Sequence, residues 1–438
     1  MKFLSSRVCD GSGNGISFAD AILNCIPNDG GMYVPIFGEN LSNWILYMNG
    51  KTSFQSIAGS LTSAMIKDEF SPIICEAIAY KAFPFSPELK QLDSNLFALE
   101  LFHGPTGCYK DFAISYFTSC LEHILIMQEK TATILAVTNG ETGACIVEAL
   151  KNKTKLKAVL LYTKGSLRKI DSECLIENGG NILPIEVNGT EEQCFEVVRQ
   201  IFKDKDFVDK YNFTLANTIN IGRVLPMIFP YIYAFSRLKN TTWGDIFYAM
   251  DAGNYGNLVS GLYAWNSSLP VNGFITNCTE SLILDNNNKC HILDSSTPLE
   301  KRNAADPANP SNLERLESVF KTNSNMLKGL VFPSVVTEKD KVTACKHAYK
   351  KYGYILDMQG ATAYAAALNQ KESIIDQDGS VVLVLRNHPA LANSEIKHII
   401  GKSVDLPESL VQLYQKDDPK QRVEPNLDDV KQIIQSYI

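Results

Sequence analysis

The rhythm of apolar and polar positions changes near residue 95. Before it, apolar residues recur at helical spacing over Phe18–Ile26, Phe54–Ile66 and Pro72–Lys81. The first run opens at Ser17-Phe18-Ala19-Asp20, a capping-box string, and stops at Pro27-Asn28-Asp29-Gly30-Gly31, a cluster of turn formers. Pro84 and Pro87 end this helical region.

After residue 95, short buried-strand runs alternate with helical stretches. The pattern predicts strands at Leu96–Phe102, Ala132–Thr138, Leu156–Tyr162 and Leu183–Val187. It predicts helices at Phe112–Gln128, Thr142–Asn152 and Glu191–Phe202 between and after them. Further strands are expected at Asp245–Met250, Gly273–Thr276 and Val381–Leu385, with a helix at Ala361–Leu368. Such alternation specifies parallel α/β layers. Asp285–Lys289 and Lys416–Arg422 read as exposed connections, the second before a last short helix ending near Tyr437. No internal repeat is visible.

Composition narrows the function classes. A chain of 438 residues with 45% hydrophobic and 20% charged residues is an ordinary globular chain of two to four structural units. The formal charge of −7 and the lack of a basic stripe argue against nucleic acid. No run approaches the ~20 apolar residues of a membrane span, and Met1–Arg7 lacks a signal-peptide core. Eleven cysteines without a C-x-x-C pair suit reduced thiols in the cytoplasm rather than a zinc site. A monomer or homodimer is expected.

The common catalytic strings are absent: no G-x-S-x-G, no H-E-x-x-H and no phosphate loop ending in G-K-[ST]. Gly11-Ser12-Gly13-Asn14-Gly15 is glycine-rich but follows no strand, so it is a weak dinucleotide signal. Four loops at the edges of α/β elements remain, where ligands collect in open sheets. In the first, His103-Gly104-Pro105-Thr106-Gly107-Cys108-Tyr109-Lys110-Asp111, a lysine stands where an apolar helix begins. A cation is unfavourable there. Its eased deprotonation suits a Schiff-base lysine, the alternative being a surface lysine paired with Asp111.

In the second loop, Thr138-Asn139-Gly140-Glu141-Thr142-Gly143 offers N–H groups and hydroxyls before a helix, an anion cradle or an ordinary capped turn. The third, Gly253-Asn254-Tyr255-Gly256-Asn257, permits a backbone wrap around a phosphate. In the fourth, Asn217, Thr218 and Arg223 stand close enough to converge on one anion, although Asn-Thr is also a common helix start. One imine-forming lysine beside several anion sites suits pyridoxal phosphate and an amino acid with an anionic tail.

The motifs resemble those of the threonine synthase family, among the fold-type II pyridoxal-phosphate enzymes. The resemblance runs from the N-terminus to about Asn393. It is carried by Asp29-Gly30-Gly31-Met32-Tyr33-Val34-Pro35, by His103-Gly104-Pro105-Thr106 with Lys110-Asp111-Phe112-Ala113, by Gly253–Asn257 and by Pro310-Ser311-Asn312-Leu313-Glu314-Arg315-Leu316. It implies an α/β fold like that of the tryptophan synthase β chain, with two open α/β lobes and a helical N-terminal region. The expected divisions are 1–95, a small lobe 96–215 with the Schiff-base lysine, a large lobe 216–400 with the cofactor-phosphate loop, and a tail 401–438.

The implied cofactor is pyridoxal 5′-phosphate. The implied reaction is that of a carbon–oxygen lyase acting on phosphates, from O-phosphohomoserine and water to threonine and phosphate. Lys110 would bind the cofactor covalently and shuttle protons, and Gly253, Asn254, Tyr255, Gly256 and Asn257 would hold its phosphate. Glu141 would stand near its 3′ oxygen. Thr138, Asn139, Thr142, Asn217, Thr218 and Arg223 would bind the substrate, the last three at its phosphate.

Departures from the family pattern keep alternatives open. Tyr109 replaces a Phe, Asn139-Gly140-Glu141 replaces Ser-Gly-Asp, and the histidine expected near Gln359 is missing. Arg386 replaces a Thr that lies near the pyridine nitrogen in the family. An Arg there disfavours a protonated ring nitrogen, unless it turns away to a carboxylate. The alternatives are therefore replacement or elimination on another phosphorylated amino acid, as in cysteate synthase, and a catalytically silent metabolite-binding homologue.

Overall fold

The computed structural model describes residues 1–8, 14–37, 40–242, 244–293, 297–320, 323–415 and 421–438. Gly11–Gly13 of the glycine-rich string and most of the Lys416–Arg422 connection lie outside them. Two parallel-rich sheets organise the chain. The larger has six strands in the order Val331–Ser334, Gly273–Asn277, Ile246–Met250, Ser380–Leu385, Leu96–Glu100, Glu88–Asp93. All its neighbours are parallel except the last pair, an antiparallel hairpin. Its three central strands are buried at every position, which is why they read as unbroken apolar runs rather than as alternating ones.

The smaller sheet is wholly parallel, in the order Arg422–Val423, Ile182–Val187, Leu156–Thr163, Ala132–Val137, Phe213–Leu215. Leu96–Glu100, grouped with the small lobe in the sequence reading, pairs instead with Ser380–Leu385 of the larger sheet. The C-terminal stretch supplies an edge strand to the smaller sheet, and Val430 and Ile434 of the helix Leu427–Tyr437 join its core. No helix among the described residues is long and apolar enough to cross a membrane.

The N-terminal region is helical as expected, with Ser17, Ser53 and Ser71 capping three of its helices. It also contains an antiparallel pair, Lys2–Ser5 with Tyr33–Ile36, that the helical pattern did not announce. Its aromatic residues grip the helix Lys110–Met127: Phe112 packs edge-on against Phe54 and Phe85, at 5.4 and 4.9 Å between centroids. That contact, two residues after Lys110, fixes the depth at which the lysine enters its helix.

Five loops follow the carboxyl ends of parallel strands: after Glu100, Val137, Leu215, Met250 and Leu385. They carry Lys110, Asn139, Asn217, Gly253 and Arg386 respectively. Open parallel sheets bind ligands at this edge.

Candidate active site

The lysine loop is held by the chain leaving Ser380–Leu385. Leu101 N–H donates to Leu385 O (2.9 Å), Tyr109 N–H to Arg386 O (2.7 Å), and His388 N–H to Gly107 O (2.8 Å). The helix starts at Lys110 itself, two residues earlier than the apolar pattern indicated. Lys110 Nζ lies 3.0 Å from Glu141 Oε2 and 3.2 Å from Thr142 Oγ1. Burial opposes its charge, but the acidic groups around it, Cys108 and Glu141 foremost, more than offset this and hold its pKa above the ordinary lysine value, the reverse of the eased deprotonation expected at a helix start. Glu141 is itself held below the usual range: burial raises it, and Lys110, Arg168 and Arg386 outweigh that.

Asp111 is not the partner of Lys110. Its carboxylate turns the other way and accepts from Thr106 N–H (2.8 Å) and Thr106 Oγ1 (2.9 Å). The close approach needs a glycine, since a Cβ on Gly104 would stand 2.4 Å from Asp111 Oδ2. Burial pushes the Asp111 carboxyl up to about 6. His103 of the same motif lies 2.7 Å from Glu100 Oε2 through Nε2.

Thr138 folds the second loop. Its hydroxyl accepts from the N–H groups of Gly140 (3.0 Å) and Gly143 (2.7 Å), and Gly140 takes φ +106° to make the turn. Asn139 and Thr142 are thereby carried to the cleft wall.

The third loop runs through Gly253 at φ +47° and Tyr255 at φ +66° into the helix Gly256–Asn266. That helix presents its N-terminal N–H groups toward the loop, an arrangement suited to an anion. Tyr255 OH meets Thr279 Oγ1 at 2.6 Å, and buried Asn257 accepts from Tyr231 OH through its carbonyl (2.7 Å). Arg386 closes the loop from the other side. Its Nη1 lies 3.2 Å from Asp251 Oδ2, and its Nη2 donates to Tyr109 OH at 3.2 Å. The departure at Arg386 is thus paired with a carboxylate. Asp251 is a site residue that no motif announced.

In the fourth loop, Asn217 and Arg223 both line the cleft but differ in their bonding. The Asn217 amide donates to Pro307 O (2.6 Å) and Ala308 O (3.3 Å), securing a strap of chain over the cleft. Arg223 is buried with Nε and Nη1 unbonded, and burial lowers its pKa. Two guanidinium N–H groups buried without a protein partner suit an anionic ligand.

These parts meet in one cleft of about 200 Å³. Its walls include Tyr109, Lys110, Asn139, Thr142, Asn217, Thr218, Arg223 and Asn254, roofed by Pro307–Pro310. Thr138, Glu141, Gly253, Tyr255, Gly256, Asn257 and Arg386 are not among the residues that line the cleft. The strap and its anchor, Arg199 on Asp306, were invisible in the sequence because they join distant segments. A lysine, an anion-ready arginine and a glycine loop at a helix N-terminus fit a phosphorylated aldehyde such as pyridoxal phosphate together with a second anion.

Comparisons with known proteins agree. Residues 80–386 match the pyridoxal-phosphate dependent enzyme family. Threonine synthase of Escherichia coli (strain K12) is 30% identical over 402 residues, covering 91% of each chain. Threonine synthase of Schizosaccharomyces pombe is 26% identical over 453 residues, covering 89% of this chain and 87% of its own. The crystal structure of threonine synthase from Escherichia coli matches with a TM-score of 0.80 at 26% identity, over 100% of both chains. The crystal structure of threonine synthase with bound pyridoxal phosphate from Brucella melitensis shares the fold, with a TM-score of 0.81 over 100% of this chain and 99% of its own at 23% identity. The chain belongs to the pyridoxal-phosphate dependent enzymes and, within them, to the threonine synthases.

Proposed function

We propose that this chain converts O-phosphohomoserine and water into L-threonine and phosphate. The observation that carries the reading is a single cleft shared by Lys110 and by Arg223, whose Nε and Nη1 have no partner. We assign Lys110, Glu141, Gly253–Asn257 and Arg386 to hold pyridoxal phosphate. When bound, the cofactor supplies an electron-withdrawing ring that makes hydrogens beside an amino acid's α-carbon acidic.

The chain's own residues do the rest. Lys110 takes and returns protons at the substrate's α- and β-carbons, and Glu141, 3.0 Å away, stabilises its charged form between transfers. Arg223 draws the substrate phosphate to the far end of the cleft, where Thr218 adds a hydroxyl. Asn139 and Thr142 face the amino-acid end. Asn217 lines the same cleft and holds the strap in place through Pro307. After the γ-phosphate leaves, Arg223 keeps it close while water adds at the β-carbon.

The ten described cysteines are free and nine are buried, which suits a reducing compartment, and we assign the chain to the cytoplasm. The test is formation of threonine and phosphate from O-phosphohomoserine by the cofactor-loaded enzyme. No turnover with Lys110 loaded overturns the reading. Turnover of O-phosphoserine with sulfite in its place moves the assignment to a replacement enzyme.

A further inference from the structure

Thr218 Oγ1 accepts two amide hydrogen bonds at once. Asn254 Nδ2 donates to it at 2.9 Å and Asn312 Nδ2 at 2.9 Å. A hydroxyl has two lone pairs and one proton. Both lone pairs are taken, so Thr218 has only its O–H left, and it can act only as a donor. Among the described residues no acceptor takes that proton, and Thr218 lines the cleft beside Arg223.

Neither amide can turn around. Asn254 Oδ1 accepts from Gly256 N–H (3.3 Å), and its Nδ2 also donates to Pro310 O (3.1 Å). Asn312 Oδ1 accepts from Arg315 Nη1 (2.7 Å), and its Nδ2 also donates to Asn254 O (3.2 Å). Reversing either amide would set oxygen against oxygen and donor against donor.

Arg315 anchors the arrangement. It is fully buried, and three more of its N–H groups go to backbone carbonyls: Nε to Tyr33 O (3.0 Å), Nη2 to Ile219 O (2.7 Å) and Nη1 to Thr218 O. A buried guanidinium bonded to carbonyls and an amide oxygen is a rigid donor with a permanent charge. It holds the N-terminal strand, the Thr218 segment and Asn312 in register.

We infer that Asn312, held by Arg315, fixes the polarity of the Thr218 hydroxyl so that it can only donate, making the cleft selective for an anionic group and tying it to the Gly253–Asn257 loop through Asn254. Asn312 and Arg315 are positioning residues, and the inference rests on the reading that Thr218 meets the substrate's phosphate. It gives Pro310–Leu316 a role: to hold the proton of Thr218 toward the phosphate before the substrate arrives. Preorganised donors of this kind need no rearrangement when charge arrives.

The experiment compares Asn312→Asp, Asn312→Ala, Thr218→Val and the double variant Asn312→Asp/Thr218→Val as cofactor-loaded enzymes. Asn312→Asp keeps an acceptor for Arg315 but turns a donor into an acceptor, which captures the Thr218 proton. The expected result is a rise of about tenfold in KM for O-phosphohomoserine and in the inhibition constant of inorganic phosphate, with kcat changed far less. Asn312→Ala, which adds no charge, is expected to raise both by roughly threefold. Thermal midpoints and the visible band of the bound cofactor accompany each variant. In the Thr218→Val background, Asn312→Asp is expected to add clearly less than it does alone, because the proton it captures is gone and only the repulsion of its new charge remains. Thr218→Val with both constants unchanged overturns the placement of Thr218 at the phosphate. A large effect of Thr218→Val with none from either Asn312 variant, or effects that multiply in the double variant, overturns the polarity inference while leaving that placement intact.

Discussion

Arg386 lies over the ring of Tyr109, its guanidinium carbon 4.5 Å from the centroid, while its Nη2 donates to the Tyr109 hydroxyl at 3.2 Å. Both residues depart from the family pattern, and each accounts for the other. A phenylalanine would offer the ring without an acceptor. A threonine would leave the tyrosine hydroxyl without its donor. Asp251, 3.2 Å from Nη1, balances the charge. The pair therefore adds less net positive charge beside the Gly253–Asn257 loop than an isolated arginine would.

Removing one member of this cluster exposes the others. Arg386→Thr leaves Asp251 partly buried without its cation, and the expected loss is ~3 kcal/mol of stability. The double variant Arg386→Thr/Asp251→Asn should recover most of it. Tyr109→Phe should cost about 1–2 kcal/mol, since it removes one hydrogen bond to a charged group. Chemical denaturation of the four proteins measures all three quantities. A double variant no more stable than Arg386→Thr would show that the charge pair is not the source.

Glu141 helps to hold the proton on Lys110, after Cys108 among the acidic groups around it. Its carboxylate favours the charged amine, so Glu141→Gln should let Lys110 lose its proton at lower pH. Loading of pyridoxal phosphate requires the neutral amine. The loading rate should rise with pH in both proteins, with the variant's curve displaced to lower pH. At neutral pH the variant should load roughly tenfold faster, the factor that one pKa unit gives. Stopped-flow absorbance of the apoenzyme mixed with cofactor checks it. Identical pH curves would place the controlling charge elsewhere.

Local patterns are legible in this sequence, whereas contacts that join distant segments are not. Strand, glycine-rich loop and helix succeed one another within about a dozen residues at Lys110, at Thr138–Gly143 and at Gly253–Asn257, so composition and apolar rhythm mark them. The partner of Lys110 is not legible in this way. Adjacency suggested Asp111, but the first helical turn points the two side chains apart, and Asp111 finds Thr106 instead. Asn217 lines the cleft with Arg223 as its spacing predicts, but its bonds to the carbonyls of Pro307 and Ala308, some ninety residues on, are not legible in the sequence. Leu96–Glu100 could be read as a strand, but which sheet it enters is decided by pairing with Ser380–Leu385, far along the chain.

Asp357 gives stability a pH dependence. It caps the helix Met358–Asn369 through Oδ1, which accepts from Gly360 N–H at 2.7 Å, while Oδ2 is buried without a partner. Burial raises its pKa from 3.8 to about 6, against the pull of Gly360 N–H and Arg386. The folded state therefore binds the proton more tightly than the unfolded chain. Stability from this group is fully present below the unfolded value and is lost as pH rises through about 6. The shift corresponds to a loss on the order of 3 kcal/mol. Asp357→Asn keeps the capping oxygen and should flatten the decline between about pH 4 and 6. Denaturation midpoints across that range measure it, and parallel curves for the two proteins would discount the group.

The strap over the cleft is fastened at its outer end by Arg199. Its Nε meets both Asp306 oxygens at 3.1 Å and its Nη2 meets Oδ2 at 2.7 Å, while Asp306 Oδ1 accepts from Ala308 N–H at 2.9 Å. The pair is partly exposed, so it adds at most ~1 kcal/mol to global stability. Its weight falls on Pro307–Pro310, which roof the cleft, and on Asn217, whose amide needs the carbonyls of Pro307 and Ala308 in place. Asp306→Asn loosens the fork but leaves the turn acceptor at Ala308. Substrate and transition state are enclosed by the same roof, so binding should weaken equally for both. KM is then expected to rise by about threefold to tenfold with kcat nearly constant, and protease cleavage within 303–310 should quicken in the substrate-free enzyme. Steady-state kinetics and limited proteolysis read the two effects on one preparation. A fall in kcat at unchanged KM would mean that the strap touches the chemistry instead of access to it.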